Sequence, residues 1–179
     1  MLKEPIEAAL NDQINAELSS EYVYLSMAAY FEDSGVPGFA SWMRAQAAEE
    51  HAHAMRLYDY VHERDGRVTL DAIDAPQREW ASPKAAFQDA YEHEVKISGM
   101  IDDLVALARE ENDNATENML QWFVAEQVEE EATARDILDK LELVGQDGPG
   151  LLMVSQELGQ RGSGGGAGDD GGPDAESME

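Results

Sequence analysis

At 179 residues the chain suits one domain around a single core, and its 38 acidic against 12 basic residues give a net charge of -26, which repels nucleic-acid phosphates and anionic membranes. Cysteine is absent, which excludes disulfides, dithiol redox chemistry and thiolate metal sites, so any metal must be held by histidine and carboxylate. The opening residues, "MLKEPIEAAL", lack the apolar stretch of a signal peptide, and no segment reaches the run of about 18 apolar residues that a membrane span needs; a cytoplasmic location is the expectation.

Strand signals are nearly absent, and apolar residues recur at spacings of three and four, so the expected fold class is all-α. A first helix is predicted from Pro5 to Phe31, with its proline in the first turn and "DSGVPG" as its stop. A second runs from near Pro37 to Arg64. The stretch "RDGRVTLDAIDAPQREWAS" then breaks the helical period. Ser82 and Pro83 supply an N-cap and first-turn proline for a third helix that reaches Glu111. Asn114 with Glu117 resembles a capping box and opens a fourth helix, which ends near Gly145. A shorter apolar segment, "PGLLMVSQEL", forms a fifth. From Gly159 onward the chain is glycine-rich and acidic, with no large apolar residue before Met178. Residues 1–158 are therefore read as the folded domain and 159–179 as a disordered tail.

Connection lengths constrain the topology. Helices joined by short turns lie antiparallel, which makes two hairpins, first with second and third with fourth. The intervening stretch can extend roughly 55 Å, while a 27-residue helix is about 40 Å long. It is long enough to cross the whole bundle and leave the second and third helices parallel.

On the first helix, Leu10, Ile14, Glu17, Tyr24 and Phe31 fall close to one face, so Glu17 interrupts a seam that should be buried. A buried carboxylate needs a partner or a cation. Glu50 and His53 are spaced to point at one ion from the second helix. Gln127 and Glu130 repeat that spacing on the fourth, and Glu94 is the candidate from the third. In so acidic a chain a lone Glu-x-x-His is ordinarily a solvated pair, and Asp59 with His62 has the same spacing with no answering acidic cluster. Depth separates the two cases. Glu17 lies roughly 15 residues before the first turn, and Glu50 and His53 lie roughly 12 to 15 after it. Glu94 lies roughly 18 residues before the second turn, and Gln127 and Glu130 roughly 13 to 16 after it. All four helices thus deliver ligand groups near one height, and a carboxylate-rich set with one imidazole suits iron or manganese.

With these residues in place the chain resembles the non-haem bacterial and archaeal ferritins over roughly residues 3–158. The resemblance is carried by "NAELSSEYVYLSMAAYF" with Glu17 and Tyr24, "AEEHAHAMRLYDYV" with Glu50 and His53, "YEHEVKIS" with Glu94, and "LQWFVAEQVEEE" with Trp122, Gln127 and Glu130. It implies a ferritin-like four-helix bundle with a long crossover and a short fifth helix, assembled as a homo-oligomeric hollow shell, commonly of twenty-four subunits. By the same resemblance one iron is held by Glu17, Glu50 and His53 and a second by Glu94 and Glu130, with Glu50 bridging and Gln127 beside the second. Glu49, Glu126 and Glu129 match a third, peripheral iron site, although each is equally an ordinary solvated helix residue. Tyr24 is either a hydrogen-bonding partner and electron donor to the site or a core tyrosine. Trp122 reads as packing and His51 as a helix-surface histidine.

The implied function is iron storage with ferroxidase activity, in which Fe(II) is oxidised by dioxygen or hydrogen peroxide. No haem is expected, because Gln127-x-x-Glu130 stands where bacterioferritins carry Glu-x-x-His and His51 stands where their haem-binding methionine lies. Two rivals remain: a two-iron oxidoreductase that consumes peroxide and stores little mineral, and a non-catalytic acidic assembly protein. The acidity itself has two ordinary origins, a surface that attracts cations or one kept hydrated in a very salty cytoplasm, where charge is screened within about 3 Å at 1 M salt. The spread of acids along the whole chain, with Lys3, Lys84, Lys96 and Lys140 as its lysines, favours salt adaptation.

Overall fold

A computed structural model describes residues 2–145 and 148–163. They form α1 (Glu4–Asp33), α2 (Pro37–Glu63), α3 (Pro83–Glu110), α4 (Asn114–Val144) and α5 (Pro149–Ser163). Each of the first four lies within two residues of its predicted bounds. The fifth continues past the expected domain boundary at 158 to Ser163, and the rest of the predicted tail, 164–179, lies outside the described residues.

Local chemistry starts and stops these helices. Ser82 caps α3 as expected, its hydroxyl accepting from the Ala85 amide at 3.1 Å. The cap of α4 is Asp113, not Asn114, and no Asn114–Glu117 box forms: the Asp113 carboxylate accepts from the Thr116 amide at 3.2 Å. Both residues are good caps by local preference. Arg64, at the end of α2, decides between them by pairing with both Asp113 oxygens at 3.1 and 3.2 Å. The tight turns use left-handed residues where the chain must reverse, Gly35 (φ 75) after α1 and Asn112 (φ 56) after α3.

The crossover runs along α1 from one end to the other. Near its start, Asn11 donates to the Arg67 carbonyl at 3.0 Å and accepts from the Thr69 amide at 2.7 Å. Near its end, Ser26 donates to the Gln77 carbonyl at 2.6 Å and Trp80 packs edge-on to Tyr30. Since α1 and α2 are antiparallel, α3 therefore begins beside the start of α2 and runs parallel to it. At that end α5 lies across the first turn of α2. A Cβ at Gly38 would fall 1.7 Å from the Ser155 carbonyl oxygen, so glycine is what admits the contact.

The core divides into two apolar clusters. One gathers Tyr24, Phe31, Phe39, Trp42, Phe87 and Ile137, with Val154 and Leu158 of α5. The other gathers Ile6, Leu10, Ile14, Leu57, Ile101, Leu120 and Phe123. Fully burying each large apolar side chain contributes about 1.5–3 kcal/mol, which is what allows polar groups to be enclosed between them. Among the described residues no helix is long and apolar enough to cross a membrane.

Candidate metal centre

Between the two apolar clusters lies a polar layer to which every long helix contributes. Glu17 on α1, Glu50 and His53 on α2, Glu94 on α3, and Gln127 and Glu130 on α4 are all buried. One stripe per helix accounts for this, since residues three or four apart share a face and the crossover puts the two hairpins in register.

The half of the layer from α1 and α2 is open in chemical terms. One ligand atom from each of Glu17, Glu50 and His53 lies within 4.8 Å of the others. His53 Nδ1 is 3.6 Å from Glu50 Oε2. Gln13 Nε2 donates to Glu17 Oε1 at 2.8 Å, while Glu17 Oε2 is buried without a hydrogen-bond partner. Glu50 lies close enough to share a proton with Glu17, and a divalent cation between these three groups would take that proton's place. Two carboxylates and an imidazole fit such an ion. The His53 ring is held edge-on against Trp122 and Phe123, and the Arg56 guanidinium stacks on Trp122. Trp122 is thus a packing wall for the imidazole.

The half from α3 and α4 is instead closed by hydrogen bonds. Tyr24 donates its hydroxyl to Glu94 Oε1, and Gln127 Nε2 donates to Glu94 Oε2 at 3.2 Å. Gln46 Nε2 reaches across from α2 to Glu130 Oε2 at 2.8 Å. Ser98 donates to Glu131 at 2.6 Å and turns its lone pairs to the Gln127 amide at 3.4 Å.

Electrostatics reflect this crowding. Burial, followed by the neighbouring Glu50 carboxylate, pushes Glu17 well above the usual carboxylate range. Burial and then Glu94 do the same to Glu50. Burial raises Glu94, and burial with the Glu94 charge raises Glu130 to about 7. Burial and the charges of Glu94 and Glu50 push the Tyr24 hydroxyl up as well. Four carboxyl groups enclosed together resist ionising unless a cation joins them.

The other expected residues fall elsewhere. Glu49 and Glu129 are exposed and Glu126 is half-buried, outside the convergent set, although the Glu49 charge is felt at both Glu50 and Glu130. Asp59 and His62 are exposed, and His51 is an exposed residue bonded to Glu21 at 3.0 Å. Both bear out the reading of these histidines as surface groups. Sequence reasoning missed Gln13, Gln46 and Ser98. For the glutamines a signal existed: each stands four residues before a ligand, Glu17 or Glu50, and so on the same buried stripe. It also missed His93, whose Nε2 lies 2.7 Å from the Ser20 hydroxyl and whose pKa burial lowers to about 4.

Residues 7–144 match the ferritin-like domain of the ferritin family. The chain belongs to that family. It is 44% identical over 161 residues to a bacterial non-heme ferritin of Bacteroides fragilis (strain 638R), spanning 90% of this chain and 100% of that one. A probable bacterial non-heme ferritin-like protein of Haemophilus influenzae is 41% identical over 159 residues, 89% of this chain and 96% of the relative. Among solved structures, an open pore ferritin from the hyperthermophilic archaeon Archaeoglobus fulgidus superposes with a TM-score of 0.88 at 53% identity, covering 89% of this chain and 98% of the other. The expected ferritin-like four-helix bundle with a short fifth helix is therefore the fold of this chain.

Proposed function

We propose that this ferritin-family chain binds Fe(II) as substrate at a two-iron centre within each subunit, oxidises it, and stores the ferric product in a hollow shell of identical subunits. Glu17, Glu50 and His53 hold the first ion. Glu94 and Glu130 hold the second, with Glu50 shared and the Gln127 amide beside it. Each Fe(II) gives up one electron, so a pair reduces dioxygen with two protons to hydrogen peroxide, or peroxide with two protons to water, and no one-electron oxygen product is released. Glu49, Glu126 and Glu129 form the third, peripheral position that the family resemblance implies, and Tyr24 donates its hydroxyl to Glu94 and so holds that ligand beside the second ion.

The observation that carries this reading is the orphaned Glu17 Oε2 among converging ligands in a layer enclosed by apolar core. Large apolar side chains left in the open support self-assembly, among them Tyr22 and Leu25 on α1 and Leu143 and Met153 near the α4–α5 junction. Twenty-four subunits is the shell size that the family resemblance implies.

Two measurements test the proposal. Anaerobic loading with Fe(II) followed by oxygen is expected to leave many more irons per shell than the centres hold; retention limited to the centres would favour a peroxide-consuming oxidoreductase. Replacing Glu50 and His53 together by alanine is expected to abolish oxygen-dependent Fe(II) oxidation. Unchanged oxidation would leave only the assembly role.

A further inference from the structure

Three of the four ligand carboxylates, Glu17, Glu94 and Glu130, have a glutamine amide hydrogen-bonded to them, and the amides are unequally explained. Gln127 lies beside the second ion in the proposal above. Gln13 and Gln46 have no such part, yet both are buried on the stripes that carry the ligands. At Glu17 the arrangement is complete: Gln13 ties Oε1, and Oε2 is left without a hydrogen-bond partner. An amide N–H offers a carboxylate a donor but offers a cation nothing, so it fixes one oxygen and leaves the other for the ion.

At Glu130 the same device spans two helices. Gln46 Nε2 on α2 donates to Glu130 Oε2 on α4 at 2.8 Å, both side chains buried. Packing alone does not call for an amide here. An apolar side chain of similar volume would fill the same buried space without a donor to satisfy. A buried carboxylate, in contrast, needs its orientation held before an ion arrives, because a ligand free to rotate loses that freedom on binding.

We propose that Gln46 is a positioning residue for the second ion: its N–H holds Glu130 Oε2 so that Oε1 faces the centre, and it acts on metal binding only through Glu130. This rests on the two-ion reading above.

The test uses the full-length assembled protein, stripped of metal and titrated anaerobically with Co(II), by calorimetry and by visible absorption of the bound ion. Co(II) reports binding without oxidation. In the unmodified protein two ions per chain are expected at the centre, with binding at the peripheral carboxylates as a further, weaker step. Gln46→Met, which keeps the volume and removes the donor, is expected to weaken the second step by about tenfold, the effect of one charge-assisted hydrogen bond, and to leave the first within about twofold. In a Glu130→Ala background the same substitution is expected to leave the whole titration curve unmoved. Gln46→Leu replaces the methionine variant if light scattering shows that the latter fails to assemble. Equal weakening of both steps, no weakening, or an effect that persists without Glu130 would overturn the assignment while leaving the two-ion centre standing. Fewer than two ions in the unmodified protein would overturn the two-ion reading, and this one with it.

Discussion

The two halves of the polar layer contain the same kinds of ligand but are held in opposite ways. On α1 and α2, Glu17 keeps one oxygen without a partner while Glu50 and His53 converge on the same point. On α3 and α4, both oxygens of Glu94 are engaged, by Tyr24 and Gln127, and Glu130 is tied to Gln46. In the first half the ligand groups already converge, and a cation would bind there without displacing a bond to Glu17 Oε2. In the second, a cation must displace or bend the bonds on both Glu94 oxygens, whereas the Gln46 bond engages one oxygen of Glu130. Buried polar groups therefore do not all mean the same thing: the unpartnered Glu17 oxygen points to a ligand because other ligand groups converge on it, a setting that Asn15 Oδ1 and Trp42 Nε1, also unpartnered, do not share.

Glu50 is the group the two halves share, so its loss gives the largest effect. Glu50→Ala is expected to lower oxygen-dependent Fe(II) oxidation by at least about a hundredfold, more than the loss of a supporting group alone, measured by absorbance of the ferric product. A loss below about tenfold would mean that the halves work independently.

Stability of the metal-free protein distinguishes the halves by sign. Glu17→Leu together with Gln13→Leu removes an unsatisfied buried carboxyl and the amide bonded to it and is expected to stabilise the stripped protein by about 1–3 kcal/mol, at the expense of the first ion. Glu94→Leu strands the Tyr24 hydroxyl and a Gln127 N–H and is expected to destabilise it by about 1–3 kcal/mol. Denaturant unfolding of the two variants after chelation checks both, and shifts of the same sign would erase the contrast drawn here.

A smaller effect is expected with pH. Burial and neighbouring carboxylates raise Glu17, Glu50 and Glu94, and Glu130 to about 7, against an ordinary value of 4.5. Raised carboxyl groups bind protons more tightly in the folded state than in the unfolded chain. The layer's contribution to metal-free stability is thus fullest below the ordinary carboxylate value and falls as pH rises through about 7. Bound cations take the place of those protons, so the gap in melting temperature between metal-loaded and metal-free protein is expected to widen from about pH 5 to 8. The smallest effect belongs to the surface: at a net charge of -26, adding salt is expected to raise the melting temperature by a few degrees through screening, about equally in both metal states.

Much of this arrangement was legible in the sequence because it rests on periodicity and length. Glu17 sits within an apolar stripe, Glu50 and His53 three apart, and the turns sit at distances that bring them level with Glu94, Gln127 and Glu130. The crossover's path followed from its reach. What escaped were choices made by partners distant in sequence. Asp113 and Asn114 are locally interchangeable as caps until Arg64 selects the first. Gln46 shares the buried stripe of Glu50, but that its partner is Glu130 is set only by another helix. The hydroxyl of Ser98 gains meaning only from Gln127 and Glu131 on α4. A pattern along one helix shows which side chains share a face, and the partner waiting across the bundle is a tertiary fact.

The crossover has a mechanical consequence. It alone joins the two helical hairpins covalently, and each hairpin carries half of the ligands. An ion held between Glu50 and Glu94 would be a second link, reversible and placed between the two apolar clusters. Filled subunits would then resist opening in a way that empty ones do not, and the cargo would act as a latch on its own container.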